Sequence, residues 1–209
     1  MAKLAQFQDQ VNELINRDWD VDGIRARLKA LSEGGLSSKK VDWADLRARR
    51  SGVLDEVRLR AEEYEWLTHS CAKGALLGLM DQFGLGNWDM VRGMSPFPGF
   101  GMTGAVCGAV TGSVLALGLF FGSDDPEDYE TTGKTMQAAR EFLARFEQEL
   151  GSIMCPAIQE QAIFGQYMDP RSSQENMKAF QAANGFERCS LPPGVGARIA
   201  AEIILDSRA

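Results

Sequence analysis

Residues 93–123 contain no Asp, Glu, Lys, Arg or His, and at their centre stands GAVCGAVTGSVLALGLFFG, from Gly104 to Gly122. A helix without a charged face needs either a membrane or the middle of a domain around it. About 20 apolar residues suffice to cross a bilayer, so length alone permits a span. The flanks argue against one: Pro96 and Pro98 interrupt the first third, acidic SDDPEDYE follows, and only Arg92 stands before it, so basic anchors are missing. The run is read as the buried centre of a helical bundle. Gly104, Gly108 and Gly112 recur every four residues and form one smooth stripe with Cys107 beside it, a surface that another helix backbone can approach closely.

The chain has 209 residues, enough for one domain with a good core. A net charge of -7 excludes binding to a phosphate backbone as the main task, so nucleic acid is not an expected partner. The opening MAKLAQFQDQVNELINRD alternates polar and apolar residues and lacks the apolar segment of a secretory signal, which predicts a cytoplasmic location. In a reducing compartment cysteines are free, metal-bound or redox-active rather than structurally paired. Cys71, Cys107, Cys155 and Cys189 lie 36, 48 and 34 residues apart with no CxxC, so neither a zinc ribbon nor a thioredoxin-type motif is present. Any site they share has to be assembled by the fold.

Leu4, Phe7, Val11, Leu14 and Ile15 share a face that makes residues 2–17 an amphipathic helix. A second helix, capped by Asp20 or Asp22, turns Ile24, Leu28 and Leu31 inward and ends at Gly34 and Gly35. After a loop with Ser37 and Ser38, residues 41–67 read as one long helix with Leu46, Val53, Leu54, Val57, Ala61 and Tyr64 inward. Its Arg47, Arg49, Arg50, Arg58 and Arg60 are interleaved with Asp45, Asp55, Glu56, Glu62, Glu63 and Glu65, the pattern of a solvated, salt-bridged face. Residues 1–67 thus form an N-terminal helical extension, and residues 68–209 a helical domain that carries all four cysteines.

In that domain Cys71 opens CAKGALLGLMDQFG, whose Gly74 and Gly78 suit close packing against the central helix. The Gly-, Pro- and aromatic-rich loop from Gly84 is long enough to suggest a lid. Residues 131–150 form a helix with Met136, Ala139, Leu143, Phe146 and Leu150 inward, ended by Gly151. Cys155-Pro156 starts another that continues through Ile158, Ala162, Ile163 and Tyr167. Residues 174–184 give a further helix with Met177 and Phe180 inward, and the period from Val195 to Leu205 gives the last, after the segment LPPGVG. No stretch alternates as a strand does. The predicted fold is all-α: a helical bundle around a buried Gly-rich central helix, with an N-terminal helical extension.

Cys71, Cys107 and Cys155 each lie at or within about the first turn of a predicted helix, and Cys189 lies shortly before one. A helix N-terminus presents unpaired N–H groups and a partial positive charge, which favour thiolate over thiol and help hold an anionic metal–sulfur cluster. Two readings follow. Four thiolates converge on an iron–sulfur centre or a tetrahedral metal, or four separate cysteines act as small apolar residues. Gly99, Gly101 and Gly104 spell GxGxxG, but SPFP rather than a strand precedes them, so a tight glycine turn is expected instead of a dinucleotide site. His69 reads as a surface or capping residue, and Trp88, Phe97 and Phe100 as packing groups of their loop.

Cys71 in HSCAKGALLGL, Cys107 in CGAVTG, Cys155 in GSIMCPAIQEQAIFG and Cys189 in ERCS, followed by ARIAAEII, together resemble the C_GCAxxG_C_C family of redox-active proteins. The resemblance covers about residues 66–205 and is most specific at CGAVTG with Gly101 and Gly104 before it. It implies a relationship to the C-terminal domain of split-Soret cytochromes c, where similar cysteines are associated with an iron–sulfur cluster. No CxxCH occurs, so covalent haem is not implied.

The chain is therefore expected to bind an iron–sulfur cluster, its type unassigned, through Cys71, Cys107, Cys155 and Cys189. Its work would be electron transfer with a redox partner protein, or redox chemistry on a small-molecule substrate. Two alternatives stand beside this. One is a metal-free thiol/disulfide oxidoreductase with Cys107 as a low-pKa nucleophile and another cysteine resolving it. The other is a non-catalytic helical interaction module whose glycine faces build a homodimer or dock a membrane partner. Insertion into a membrane is not expected.

Overall fold

A computed structural model describes residues 2–36 and 40–208. The loop expected around Ser37 and Ser38 lies outside the described residues. The helices in chain order are α1 (Ala2–Asn16), α2 (Val21–Gly34), α3 (Trp43–Ala48), α4 (Arg50–Thr68), α5 (Cys71–Phe83), α6 (Trp88–Gly93), α7 (Gly108–Phe121), α8 (Tyr129–Leu150), α9 (Cys155–Ile158), α10 (Gln174–Ala182), α11 (Gly185–Cys189) and α12 (Leu191–Asp206). Among the described residues no strand occurs, and no helix is long and apolar enough to cross a membrane. The fold is all-α. The uncharged run becomes α7, whose Ala109, Ala116 and Leu117 are fully buried among α5, α8 and α12.

Close backbone approach organises these helices. A methyl group at Gly108 would overlap the Cys71 sulfur, and one at Gly112 would overlap the Ala72 carbonyl, so α7 lies with its backbone against the start of α5. The glycines of α5 serve a different neighbour from the one expected. A Cβ at Gly74 would stand 2.6 Å from Glu65 Cβ, and Gly78 abuts Ala61, so they admit α4 rather than α7. Helix α5 is thereby held between α4 and α7, and α12 packs across all three.

Local signals set most of the helix ends. Ser70 caps α5 by accepting from the Lys73 N–H, and Gly84 ends that helix in the left-handed region. Asp20 caps α2, Asn87 caps α6 and Asp128 caps α8. The long helix expected over residues 41–67 is instead two, because Asp42 caps α3 and the chain turns at Arg49 before α4 begins. The last helix starts earlier than expected: Pro192 and Pro193 fall in the first turn of α12, where proline costs no hydrogen bond. On α8 the buried face is Ala138, Phe142, Phe146 and Leu150, and Met136 is exposed.

The N-terminal helices share the apolar core. Phe7, Val11 and Leu14 of α1 and Val53, Val57, Ala61 and Tyr64 of α4 are buried in it, and α1 lies against α11, α12 and the turn after α9. The face expected to be solvated is not all so. Glu62 is 1% exposed and bridges Arg17 (2.7 Å) and Arg58 (2.8 Å), joining the end of α1 to α4.

Substituting the glycines of α7 tests the packing. Gly112→Ala should cost about 1–3 kcal/mol by overpacking against α5. Gly118→Ala, where a Cβ meets open space, should gain about 0.5–1 kcal/mol from helix propensity. Urea midpoints of the two variants moving in the same direction would contradict this arrangement.

Candidate functional site

The four cysteines, up to 118 residues apart in the chain, line one cavity of about 90 Å³. Each arrives by its own route. Cys71 is the first residue of α5, directly after the Ser70 cap. Cys107 caps α7 in extended backbone. Cys155 is brought to Cys107 by a short antiparallel clamp: Val106 bridges Met154, the Cys107 N–H donates to the Ile153 carbonyl, and the Cys155 N–H donates to the Ala105 carbonyl, both at 2.9 Å. Cys189 stands just before α12, as expected, and is itself the last residue of the short helix α11.

The glycine turn that was expected beside Cys107 does form, with a handedness the sequence did not reveal. Gly99, Phe100, Gly101 and Met102 all have positive φ, as does Gly104, so the chain makes one left-handed turn before entering the clamp. Gly104 therefore lies outside α7, and the three-glycine stripe shrinks to Gly108 and Gly112. Holding Phe100 and Met102 in this region costs about 1–3 kcal/mol each. The turn is tied down by the Thr103 hydroxyl, which donates to the Phe100 carbonyl at 3.0 Å, and by the Arg171 guanidinium, which donates to Met102 Sδ at 2.8 Å. The helix expected to run from Cys155 to Tyr167 instead widens to a π-turn over Gln159–Ile163 and stops. Gln159 then faces the cavity, donating to Cys155 Sγ at 3.8 Å and accepting the Met168 N–H at 2.8 Å. Tyr167 lies beyond the helix, on the cavity wall and 40% exposed.

The N-terminus of α7 sends its N–H groups to another residue's sulfur. The Cys107 thiol donates to Cys71, and so do the N–H groups of Gly108, Ala109 and Ala72, which together hold Cys71 below the ordinary thiol value despite burial. Cys107, as the donor, is pushed well above it by that bond and by burial. The directions of these two shifts favour Cys71, and not the expected Cys107, as the more acidic thiol of the pair. Burial pushes Cys155 up to about 11. Burial, then the charge of Glu65, pushes Cys189 well above its usual range.

Two further residues, Glu65 and His69, bear on the cavity. Glu65 is 2% exposed and accepts the Ser190 hydroxyl at 2.5 Å; burial drives its carboxyl well above the usual range. It had been read as part of a solvated face. The signal for its burial was in the sequence, since Glu65 lies four residues after Ala61, on the apolar stripe of α4. His69 caps α4 in the left-handed region and stacks on Phe186 with ring centroids 3.8 Å apart, and burial lowers its pKa. The remaining wall includes Ile158, Ile163, Phe180 and Phe186; Trp88, Phe97 and Phe100 do not reach the cavity.

Among the described residues no Lys or Arg lines the cavity, while Glu65 and Asp169 do. Nor, among them, do three or more His, Cys, Asp or Glu side chains gather tightly enough to hold a single metal ion. The thiols surround a void instead of meeting at a point. Such a void, rimmed by sulfur and carboxyl groups with the His69 imidazole as its one basic group among the described residues, favours a positively charged guest, which would also favour ionisation of the buried thiols.

The family described as "Putative redox-active protein (C_GCAxxG_C_C)" matches residues 69–203. No curated protein and no solved structure matches the chain.

The thiol assignment has a direct check. In metal-free protein, iodoacetamide should label Cys71 at pH values below 9.0, the ordinary thiol value, and Cys155 only as the pH nears about 11. Mass spectrometry that finds Cys107 labelled at lower pH than Cys71 would refute it.

Proposed function

The chain belongs to the C_GCAxxG_C_C family of redox-active proteins, and on that premise we propose that Cys71, Cys107, Cys155 and Cys189 hold an iron–sulfur cluster. The observation that carries this reading is the convergence of all four thiols on one cavity whose wall, among the described residues, has no Lys or Arg. A single tetrahedral ion would need its sulfurs about 2.3 Å from one point, whereas thiols spaced around a void suit a guest with bulk of its own. The donor set also fits, because thiolates are the usual ligands of such clusters. When bound, the cluster would supply one-electron transfer, to a partner protein or to a small molecule at the cavity.

The protein's own groups have separable tasks in this reading. The N–H groups of Ala72, Gly108 and Ala109 stabilise negative charge on the Cys71 sulfur. Gln159 orients Cys155 through its amide and is itself fixed by the Met168 N–H. Ile158, Ile163, Phe180 and Phe186 keep water from one side of the cavity, which strengthens every electrostatic interaction inside it. The strained turn at Phe100 and Met102 holds the start of the clamp that pairs Cys107 with Cys155.

The hydrogen bond from Cys107 to Cys71 favours a second reading, a metal-free dithiol couple. The Cys71 thiolate would attack a disulfide substrate and release one thiolate. The Cys107 sulfur, giving up its proton, would then displace the second, leaving a Cys71–Cys107 disulfide and a substrate reduced by two electrons.

Anaerobic purification followed by visible spectroscopy, with iron and acid-labile sulfide analysis, separates the two. The cluster reading expects a brown protein containing both elements, bleached on reduction, and losing colour in Cys107→Ser and Cys155→Ser alike. A colourless protein without iron after reconstitution, in which only Cys71 and Cys107 pair on oxidation, would replace it with the dithiol reading.

A further inference from the structure

A second hollow lies against α5, on the side away from the cysteines. Cys71 and Lys73 stand two positions apart at the start of this helix, which turns them about 200° from each other. Cys71 faces the cysteine cavity, and Lys73 lines a groove of about 180 Å³ between α2, α4, α5 and α6. The two hollows are opposite in charge. Among the described residues no Lys or Arg lines the first, and no Asp or Glu lines the second, although acids outnumber bases in the chain by 29 to 22. Leu28, Leu77 and Val91 make much of the groove apolar, and Trp88 adds an indole to its wall. The hydroxyls of the groove are turned to their own backbone, Thr68 donating to the Tyr64 carbonyl and Ser95 to the Arg92 carbonyl. Arg92 is paired with Asp89 at 2.6 Å. Lys73 is half-buried, and among the described residues no carboxylate is paired with it.

We propose that this groove binds a small aromatic carboxylate, with its ring between Trp88 and the aliphatic side chains and its carboxylate on the Lys73 ammonium. The charge of the wall selects an anion, and a half-buried ammonium without a counter-ion gains a charge-assisted hydrogen bond from a carboxylate. The apolar share of the wall selects an organic one, because an inorganic anion would lose water against Leu28 and Leu77 and gain nothing there. Size limits the body to a single ring, since an apolar cavity of about 150 Å³ already takes benzene. The Trp88 indole favours an aromatic over an aliphatic ring through stacked or edge contact. This site does not depend on what the cysteines hold: the groove and the cysteine cavity share no lining residue.

The test titrates the full-length protein with sodium benzoate at constant ionic strength and follows the Trp88 indole N–H in a proton–nitrogen correlation spectrum, that signal being identified by its loss in Trp88→Phe. Benzoate at millimolar concentration is expected to shift it saturably. Lys73→Gln should weaken binding about tenfold or more, Lys73→Arg should retain it, and Lys134→Gln on the exposed face of α8 should leave it unchanged. Benzyl alcohol and sodium phosphate, which carry the ring or the charge alone, should each bind about tenfold more weakly than benzoate. That comparison uses the parent protein and carries the test if Lys73→Gln does not fold by circular dichroism. No saturable shift with benzoate, equal affinity in folded Lys73→Gln, or phosphate binding as tightly as benzoate overturns the proposal. Cyclohexanecarboxylate binding as tightly as benzoate overturns the aromatic assignment.

Discussion

The backbone contact between α7 and α5 is the constraint on which the site depends. Gly108 and Gly112 leave no side chain between the helices, so the first turn of α7 arrives close enough for its N–H groups to reach the Cys71 sulfur. Any side chain at Gly108 would occupy the place of that sulfur. The contact is thus both packing and electrostatics: it fills space in the bundle, and it aims a helix N-terminus at a buried thiolate. Cys107 follows from it, since the residue that caps α7 must lie beside Cys71. Cys155 follows from Cys107 through the clamp at Val106 and Met154.

The charges around the cavity form a second layer of the design. Burial raises Cys155, Cys189 and Glu65, the bond to Cys71 and then burial raise Cys107, and no lysine or arginine among the described residues lines the wall to offset this. Of the four thiols only Cys71 is held in the opposite direction, by neutral N–H and S–H donors instead of a cation. Elsewhere the protein pairs buried acids with bases, as Glu62 shows with Arg17 and Arg58. The lack of a lysine or arginine at the cavity, among the described residues, is therefore local.

Much of the architecture was legible because it rests on short-range rules. The period of the apolar residues marked α1, α2 and α8, and the Asp20 cap and the Gly151 stop needed only neighbours within a turn. Errors fell where a local choice was decided by distant partners. Residues 41–67 broke at Arg49 because Asp42 could cap a short α3. Gly104 looked like part of a helical stripe, but the left-handed turn from Gly99 onward took it out of α7. The Cys155 helix widened at Gln159 and left Tyr167 on the cavity wall. Glu65 was hidden because charge on a helix normally means water.

By itself the sequence determined an all-α chain with an uncharged helix at its centre, four cysteines with no local motif, and the glycines that make close packing affordable. Those properties follow from composition and period, which act along a single helix. Tertiary structure decided which sulfur receives the N–H groups of α7, which glycine pair serves which helix, that four distant thiols share one cavity, and that Glu65 joins them. Each depends on atoms brought together across the chain, and burial, which sets the charge of every group at the cavity, is a property of the assembled core and of no segment alone.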